Sequence, residues 1–342
     1  MKNSLLANLC CPACGQSLVV EDAQPDARSD AQILEGNLKC ASCATVYPIR
    51  KGIPNLLSQG LLEEYKRNEM QGWVNLWKKK GMYDRPTLEH SFALPYLDGI
   101  WADVSRMFDL AMQDMNLQGN EFILDMGAGQ GWASRYFAAK GCRVVAVDIV
   151  DDEWYGLGRA WAIMEKAGVY FEPLLADGEN LPFRPETFDI VFFCGALHHF
   201  RDFGKILKQV NKVLKPGGRV VAAGEPSIAL IVHERDVQNS LEEMQEGIVE
   251  RRAKVSEYWW SLRRAGFHDI CINIAETYNA APIQIYSWIL SARQNLFRTV
   301  RRRYKALVWS ALSVLLMFPS RWARRLALLA NGGNLLIRAR KD

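Results

Sequence analysis

The sequence predicts an α/β fold: a mostly parallel sheet covered by helices, with a small metal-bound ribbon ahead of it and a helical insertion between its last two strands. Three observations carry this expectation. From Glu121 onward, short apolar runs alternate with helix-length segments. Ahead of them stand two Cys-x-x-Cys pairs, Cys11 with Cys14 and Cys40 with Cys43, separated by 25 residues. Near the end, an arginine-rich apolar block divides two further strand-like runs. A chain of 342 residues, 49% hydrophobic and 23% charged, suits two domains or one enlarged domain and excludes a disordered tail or a disulfide miniprotein.

Residues 1–57 form the expected ribbon. Two knuckles that each present a thiolate pair to one side of a tight turn suit tetrahedral Zn²⁺, with Cys11, Cys14, Cys40 and Cys43 as ligands. Gly15 and Ala44 are the small residues at the turns, and Cys10 is a substitute ligand of poorer spacing. The acidic, Pro-containing stretch from Glu21 to Asp30 reads as a loop. So short a segment has too few apolar residues to fold without a metal. The other cysteines, Cys142, Cys194 and Cys271, show no pairing pattern, and Met1 to Leu9 is too short an apolar run for a signal peptide. A reducing, cytoplasmic setting is therefore expected.

Residues 58–118 read as helical, a linker that caps the following domain, with Trp73, Trp77, Tyr83, Tyr96 and Trp101 mainly packing in the core. The third unit, 119–342, holds the sheet. Its strands are placed at Phe122–Met126, Arg143–Asp148, Phe171–Ala176, Phe188–Cys194 and Arg219–Ala223, with Pro216, Gly217 and Gly218 stopping the helix before the fifth. The first strand runs into Asp125-Met-Gly127-Ala-Gly129-Gln-Gly131, whose glycines let the backbone pass close beneath a ligand. A dinucleotide fingerprint wants Gly or Ala at its sixth position; this chain has Trp132, which argues against hydride transfer. Asp148 ends the second strand, where a carboxylate can accept both hydroxyls of a ribose.

The stretches ILDMGAGQGWASRYFAAKGCRVVAVDI, LLADGENLPFRPETFDIVFFCGALHHF and VLKPGGRVVAAGEP, in this order, resemble the UbiE-type class I S-adenosylmethionine (SAM) methyltransferases over about Glu121 to Pro226. The resemblance implies a Rossmann-like sheet and SAM as cofactor. It also implies that Asp125, Gly127, Gly129 and Gly131 surround the methionine part, that Asp148 binds the ribose, that Ile149 and Asp177 frame the adenine, and that Cys194 and Gly195 line the floor. CPACGQSL, LKCASC and VYPIRKGIPNLL resemble the small zinc-binding activator of tRNA and protein methyltransferases, which implies a structural metal with all four positions filled by protein. The competing reading is an inert fold that has lost its cofactor and serves as a scaffold.

Methyl transfer from a sulfonium is an in-line displacement, so a base is needed only when the nucleophile carries a proton. His198 and His199 follow the fourth strand where an acceptor would approach, and His-His-Phe also fits a helix-starting structural role. Glu225, just past the fifth strand, is the next candidate; Tyr83 and His233 rank below. The sixth and seventh strands are placed at Asp269–Ile274 and Asn334–Ala339, leaving 277–333 as a helical insertion on the cofactor side. Residues 293–342 hold 12 of the 42 Lys and Arg but one of the 38 acids, a formal +11 against −7 for the rest. Within 293–325 an apolar run from Ala306 to Phe318, 13 residues and too short for the ~20 of a membrane span, has basic ends. That pattern suits a helix lying peripherally on an anionic inner membrane face. Nucleic acid is the lesser alternative partner, and a helical hairpin packed on the core is the bland one. The expected function is methyl transfer to a small or lipid-linked acceptor, such as a saccharide intermediate or quinone-like molecule. RNA methylation is the alternative.

Overall fold

The computed structural model describes residues 1–26, 29–57, 62–79, 87–99, 101–229, 242–274 and 332–342. A one-turn helix α1 (Asn3–Leu6) leads into strands β1 (Leu18–Asp26), β2 (Ser29–Cys40), β3 (Val46–Arg50) and β4 (Ile53–Pro54), which pair antiparallel in that order. The acidic stretch expected as a loop belongs instead to a long β1–β2 hairpin, with Glu21 opposite Asn37 and Gln24 opposite Glu35. Register shifts take up the extra residues, and Pro25 is tolerated because β1 is an edge strand.

Helices α2 (Glu64–Lys79), α3 (Leu88–Ala93) and α4 (Trp101–Met115) precede the main sheet. That sheet uses β5 (Phe122–Met126), β6 (Arg143–Asp148), β7 (Glu172–Leu175), β8 (Phe188–Cys194), β9 (Leu214–Ile228), β11 (Phe267–Ile274) and β12 (Gly332–Lys341), in the spatial order β11-β12-β9-β8-β5-β6-β7. The short β10 (Ala253–Lys254) pairs with the end of β9. Strands β5 to β9 are parallel, and β12 alone runs antiparallel to its neighbours β9 and β11. Central strands such as Phe122–Met126 are buried along their whole length, as helices on both faces of a parallel sheet require. The covering helices are α5 (Trp132–Ala139), α6 (Ala160–Ala167), α7 (Phe203–Val213) and α9 (Val255–Arg264), with a one-turn α8 (Glu242–Gln245) between β9 and β10. Helix α7 shows how local signals fix one of them: Asp202 caps it by accepting the Lys205 N–H at 3.1 Å, and Phe203, Ile206, Leu207, Val210 and Val213 form its buried stripe.

Strand positions differ from expectation only at their ends. The third is one residue shorter on each side, the sixth begins at Phe267, and the seventh runs from Gly332 to Lys341. The fifth is much longer, because its start at Leu214 pairs with Phe188 of β8 and its end finds partners in β12 and β10, none of which a local pattern shows. Residues 275–331, and with them nearly all of the expected insertion and the block 293–325, lie outside the described residues, as do Tyr83 and His233. Among the described residues no helix is long and apolar enough to cross a membrane.

The ribbon is packed onto the free edge of this sheet. The Leu56 N–H donates to Leu175 O at 2.8 Å beside an Asn55–Leu175 bridge, and the Cys10 N–H donates to Pro182 O at 2.9 Å beside a Leu9–Phe183 bridge. Leu9, Leu38, Tyr47, Ile49 and Leu56 share one apolar cluster with Leu174, Phe183 and Phe188. Edge β7 is thereby covered rather than left open to another chain.

Candidate functional site: a cavity at the carboxyl ends of the strands

The strands β5, β6, β7 and β8 all end at one cavity, lined by Gly127 after β5, Asp148 at the end of β6, Asp177 two residues past β7 and Gly195 after β8. Its opposite wall is α2, with Tyr65, Glu69, Trp73 and Trp77 at four-residue spacing, together with Trp101 of α4. Three of the five aromatics expected mainly in the core, Trp73, Trp77 and Trp101, therefore line the cavity; Tyr96 is exposed and donates to Asp109 at 2.6 Å.

The glycines of the first turn have three different tasks. Gly127 has φ +67°, and a Cβ there would lie 2.6 Å from the Ala196 Cβ, so the glycine lets the two loops touch. Gly129, at φ +55°, faces cavity space, and a Cβ there would have no atom nearer than 4.0 Å. Gly131 does not line the cavity; it caps α5 at φ +80°, and a Cβ would collide with the Phe171 ring at 2.6 Å. Trp132, one residue on, is buried edge-on against Trp101 and Phe108 and forms part of the cavity wall.

Asp148 accepts the Gly129 N–H at 2.7 Å through Oδ2 and the Val150 N–H at 2.9 Å through Oδ1. Each oxygen keeps a lone pair for a ligand hydroxyl. Burial pushes its carboxyl above the usual range. Asp125 is absent from the cavity wall: it is buried, accepts the Ser134 hydroxyl at 2.7 Å, and its carboxyl is pushed up to about 7 by burial. Asp177 lines the cavity with Ile149, but both its oxygens are held by the Lys66 ammonium at 2.6 and 2.7 Å. Lys66, itself buried, also reaches Glu179 at 3.0 Å. Cys194 and Gly195 lie on the wall, and Gly195, at φ +59°, has open space where a Cβ would stand.

The candidate bases separate sharply. Glu225 is fully buried and away from the cavity; its Oε1 accepts the N–H groups of Ala196 and Leu197 at 3.1 Å each, and its Oε2 accepts the His198 N–H at 2.9 Å and meets His198 Nδ1 at 2.8 Å. It staples the turn after β8. His198 is buried between Glu225 and Glu250, its Nε2 lying 3.2 Å from Glu250. Burial opposes its protonation, but Glu225 and Glu250 outweigh that and push its pKa up to about 9. His199 alone of the three lines the cavity, with Nδ1 at 2.5 Å from Val249 O and its ring edge-on to Trp73. Burial and the neighbouring His198 push its pKa down to about 4.

Sequence reasoning passed over Lys66, Glu69 and Glu250. The signal for Glu69 was the stripe Tyr65, Glu69, Trp73, Trp77 on one helical face; nothing local marks Lys66 or Glu250.

The cysteines converge as spaced. Cys11, Cys14, Cys40 and Cys43 bring their sulfurs within 4.8 Å of one another, with Cys11–Cys43 at 3.7 Å and Cys14–Cys40 at 3.4 Å. Tetrahedral Zn–S bonds of ~2.3 Å set sulfurs about 3.8 Å apart, so the set fits the ion. Gly15 and Ala44 both have positive φ at the knuckle turns, and the Ser42 and Cys43 N–H groups point at the Cys40 sulfur at 3.4 Å. Cys10 stands apart from this set.

A SAM-sized ligand also fits the residues present. Gly129 and Gly195 leave room that a side chain would fill, and Gln130 Oε1 and Trp101 Nε1 are buried on the cavity wall with no partner among the described residues.

Comparison with known proteins agrees with both halves. Residues 124–222 match the Methyltransf_11 methyltransferase domain and residues 2–52 match the Trm112p-like protein family. A sarcosine/dimethylglycine N-methyltransferase of Halorhodospira halochloris is 30% identical over 52% of this chain and 61% of its own length. A demethylmenaquinone methyltransferase of Corynebacterium urealyticum is 34% identical over 37% and 48%. The 27-O-demethylrifamycin SV methyltransferase of Amycolatopsis mediterranei is 31% identical over 49% and 64%. The chain thus spans about half to two thirds of the length of these curated relatives. Among solved structures, phosphoethanolamine N-methyltransferase 2 of Haemonchus contortus superposes with a TM-score of 0.50 at 16% identity, covering 80% of this chain and 60% of that one. The cyclase SpnF superposes at 0.51 and 18%, covering 81% and 95%. A cyclase on the same scaffold shows that the fold alone does not settle the chemistry. The chain thus joins a four-cysteine segment similar to the Trm112p-like family to a Rossmann-like sheet whose core is similar to the Methyltransf_11 domain.

Proposed function

We propose that the protein is a SAM-dependent methyltransferase acting on a small-molecule acceptor, with a structural Zn²⁺ in its ribbon. The observation that carries the first part is the Asp148 carboxylate, fixed by the Gly129 and Val150 N–H groups in the cavity, with glycines beneath it. Asp148 would hold the ribose hydroxyls, Gly127, Gly129 and Gly195 would admit the donor close to the backbone, and Ile149 and Asp177 would flank the adenine. Bound SAM supplies an electrophilic methyl group on a sulfonium. The chain then has to align an acceptor in line with that methyl and keep water out, for which the tryptophans of α2 and α4 are suited. His199 is the sequence candidate that faces the cavity, yet a pKa near 4 makes it a weak base at neutral pH. Asp125 and Gly131 support the cavity from behind, and Glu225 and His198 hold its floor. Titration calorimetry tests this: Asp148→Ala should weaken SAM binding about 10- to 100-fold, the equivalent of ~1–3 kcal/mol of charge-assisted hydrogen bonding. Wild-type protein that binds NADH and ignores SAM would overturn the assignment.

The relatives' acceptors favour a small molecule. A finer reading places that acceptor on a lipid at the inner membrane face and rests on the charge pattern of 293–325. Deleting residues 296–326 should then abolish sedimentation with anionic liposomes and leave SAM affinity within twofold. Salt-dependent RNA binding without liposome binding would favour the nucleic-acid alternative.

A further inference from the structure

We propose that Glu69, Trp73 and His199 form the acceptor subsite and that it takes a basic amine nitrogen, with Glu69 as its counter-ion and proton acceptor. This rests on the methyl-donor reading above and names the acceptor chemistry of that same cavity.

Glu69 is 5% exposed and lines the cavity, and the partner the structure gives its carboxylate is the Val249 N–H. Among the described residues it takes part in no ion pair and has one backbone N–H, whereas Asp148 is held by two backbone N–H groups and Asp177 by the Lys66 ammonium. The wall thus presents three carboxylates against the single ammonium of Lys66. A buried carboxylate with no directly paired cation is costly: burial, with Asp148 adding to it, pushes the Glu69 carboxyl up to about 8, and the Val249 N–H and the more distant charges of Lys66 and Arg201 offset this only in part. An entering ammonium supplies the missing charge.

The neighbours suit a cation. Trp73 and Trp77 stack at 6.0 Å on the same helical face, and indole rings are the best aromatic partners for ammonium groups. His199 meets Trp73 edge-on at 5.0 Å and is neutral, so it does not repel a cation. The backbone of Val249 orients both polar groups, its N–H donating to Glu69 and its carbonyl accepting from His199 Nδ1. That segment is held against α2 at Gly72, where a Cβ would lie 2.3 Å from Glu246 O.

The chemistry balances. Glu69 takes one proton from the ammonium and leaves a lone pair on nitrogen. That pair forms the N–CH3 bond as the C–S bond of the sulfonium breaks, its electrons going to sulfur to give the thioether. The methylated nitrogen carries away the positive charge, and Glu69 returns its proton to solvent. A carboxyl that titrates near 8 is matched to this task at neutral pH.

The test uses full-length protein saturated with S-adenosylhomocysteine and tetramethylammonium as probe, with isosteric, neutral tert-butanol-type alcohol as control. Calorimetry should find binding of the cation and not of the alcohol, weakened at least 10-fold in Glu69→Gln and several-fold in Trp73→Leu, with S-adenosylhomocysteine affinity within twofold of wild type. Glu69→Gln keeps the shape and the Val249 hydrogen bond, so it should fold. Labelled-methyl incorporation should favour an amine over the hydroxyl compound of the same skeleton, and the rising limb of kcat/KM with pH should vanish in Glu69→Gln. Equal binding of cation and alcohol, no cation binding, or an equal loss of S-adenosylhomocysteine affinity in Glu69→Gln would each overturn the proposal. Wild-type protein that binds neither SAM nor S-adenosylhomocysteine would overturn the donor reading first.

Discussion

Glu225→Gln separates support from chemistry at the turn after β8. The substitution preserves shape but leaves one oxygen where two served four donors: the N–H groups of Ala196, Leu197 and His198, and His198 Nδ1. With the oxygen facing Ala196 and Leu197, the new amide meets the His198 N–H donor to donor, a buried conflict worth ~1–3 kcal/mol. The ion pair goes as well. His198 has a folded pKa of about 9 against an ordinary 6.5, so its stabilising contribution is complete below about pH 6.5 and is lost as pH rises through 9. The shift amounts to about 3 kcal/mol, part of which the remaining Glu250 retains. A net loss of roughly 2–4 kcal/mol at pH 6.5 is expected, or roughly 5–10 °C in Tm for a domain of this size. Scanning fluorimetry at pH 6, 7.5 and 9.5 reads it: wild type should weaken steadily towards 9.5, and the variant should start lower and fall less. An unchanged melting profile together with abolished methyl transfer would refute the reasoning and return Glu225 to the reacting atoms.

Gly131→Ala should cost about 3 kcal/mol of stability by denaturant titration, because a methyl group at φ +80° meets the Phe171 ring at 2.6 Å. Gly195→Ala, with nothing within 4 Å, should cost about 1 kcal/mol and instead weaken SAM binding as its methyl enters the cavity. Cys40→Ser should lower zinc content from one per chain to less than 0.2 by metal analysis, since structural zinc contributes ~10–16 kcal/mol to folding its module. Because the ribbon shares its apolar cluster with Phe183 and Phe188, the same variant should also aggregate at temperatures where wild type is clear.

The four-cysteine ribbon and the β5–β6 side of the cavity were legible in the sequence because their patterns are local. Cysteine spacing sets the knuckles, and a glycine-rich turn followed some twenty residues later by Asp148 comes from one βαβ unit, Phe122 to Asp148. The far wall was not legible, because its groups come from separate segments. Lys66 acquires its role only when α2 brings it to Asp177, 111 residues on, and Glu250 becomes visible only beside His198. The pattern also misled at Glu225 and His198: a carboxylate and an imidazole at the carboxyl edge look chemical, yet β8 and β9 are neighbours in the sheet, Glu225 lies within β9, and the turn after β8 brings His198 onto it.

If the ribbon and the sheet were separate beads, the ribbon could unfold and leave the cavity intact. Their joint core argues otherwise. Leu56 is hydrogen-bonded to Leu175, the last residue of β7, and one residue further Ala176 and then Asp177 enter the cavity wall. Asn180 donates to Pro12 O at 2.9 Å, so the turn carrying Glu179, and through it Lys66, is braced by the first knuckle. On the proposed assignment, a ribbon deprived of its metal would therefore release the Asp177 side of the cavity, proposed for the adenine, before the glycine-rich turn proposed for the methionine part. Titration of the Cys40→Ser variant should register this as weaker binding of adenosine, with the Gly127–Gly131 turn still protected in hydrogen exchange. Loss of protection across both turns together would mean that the ribbon and the sheet unfold as one unit.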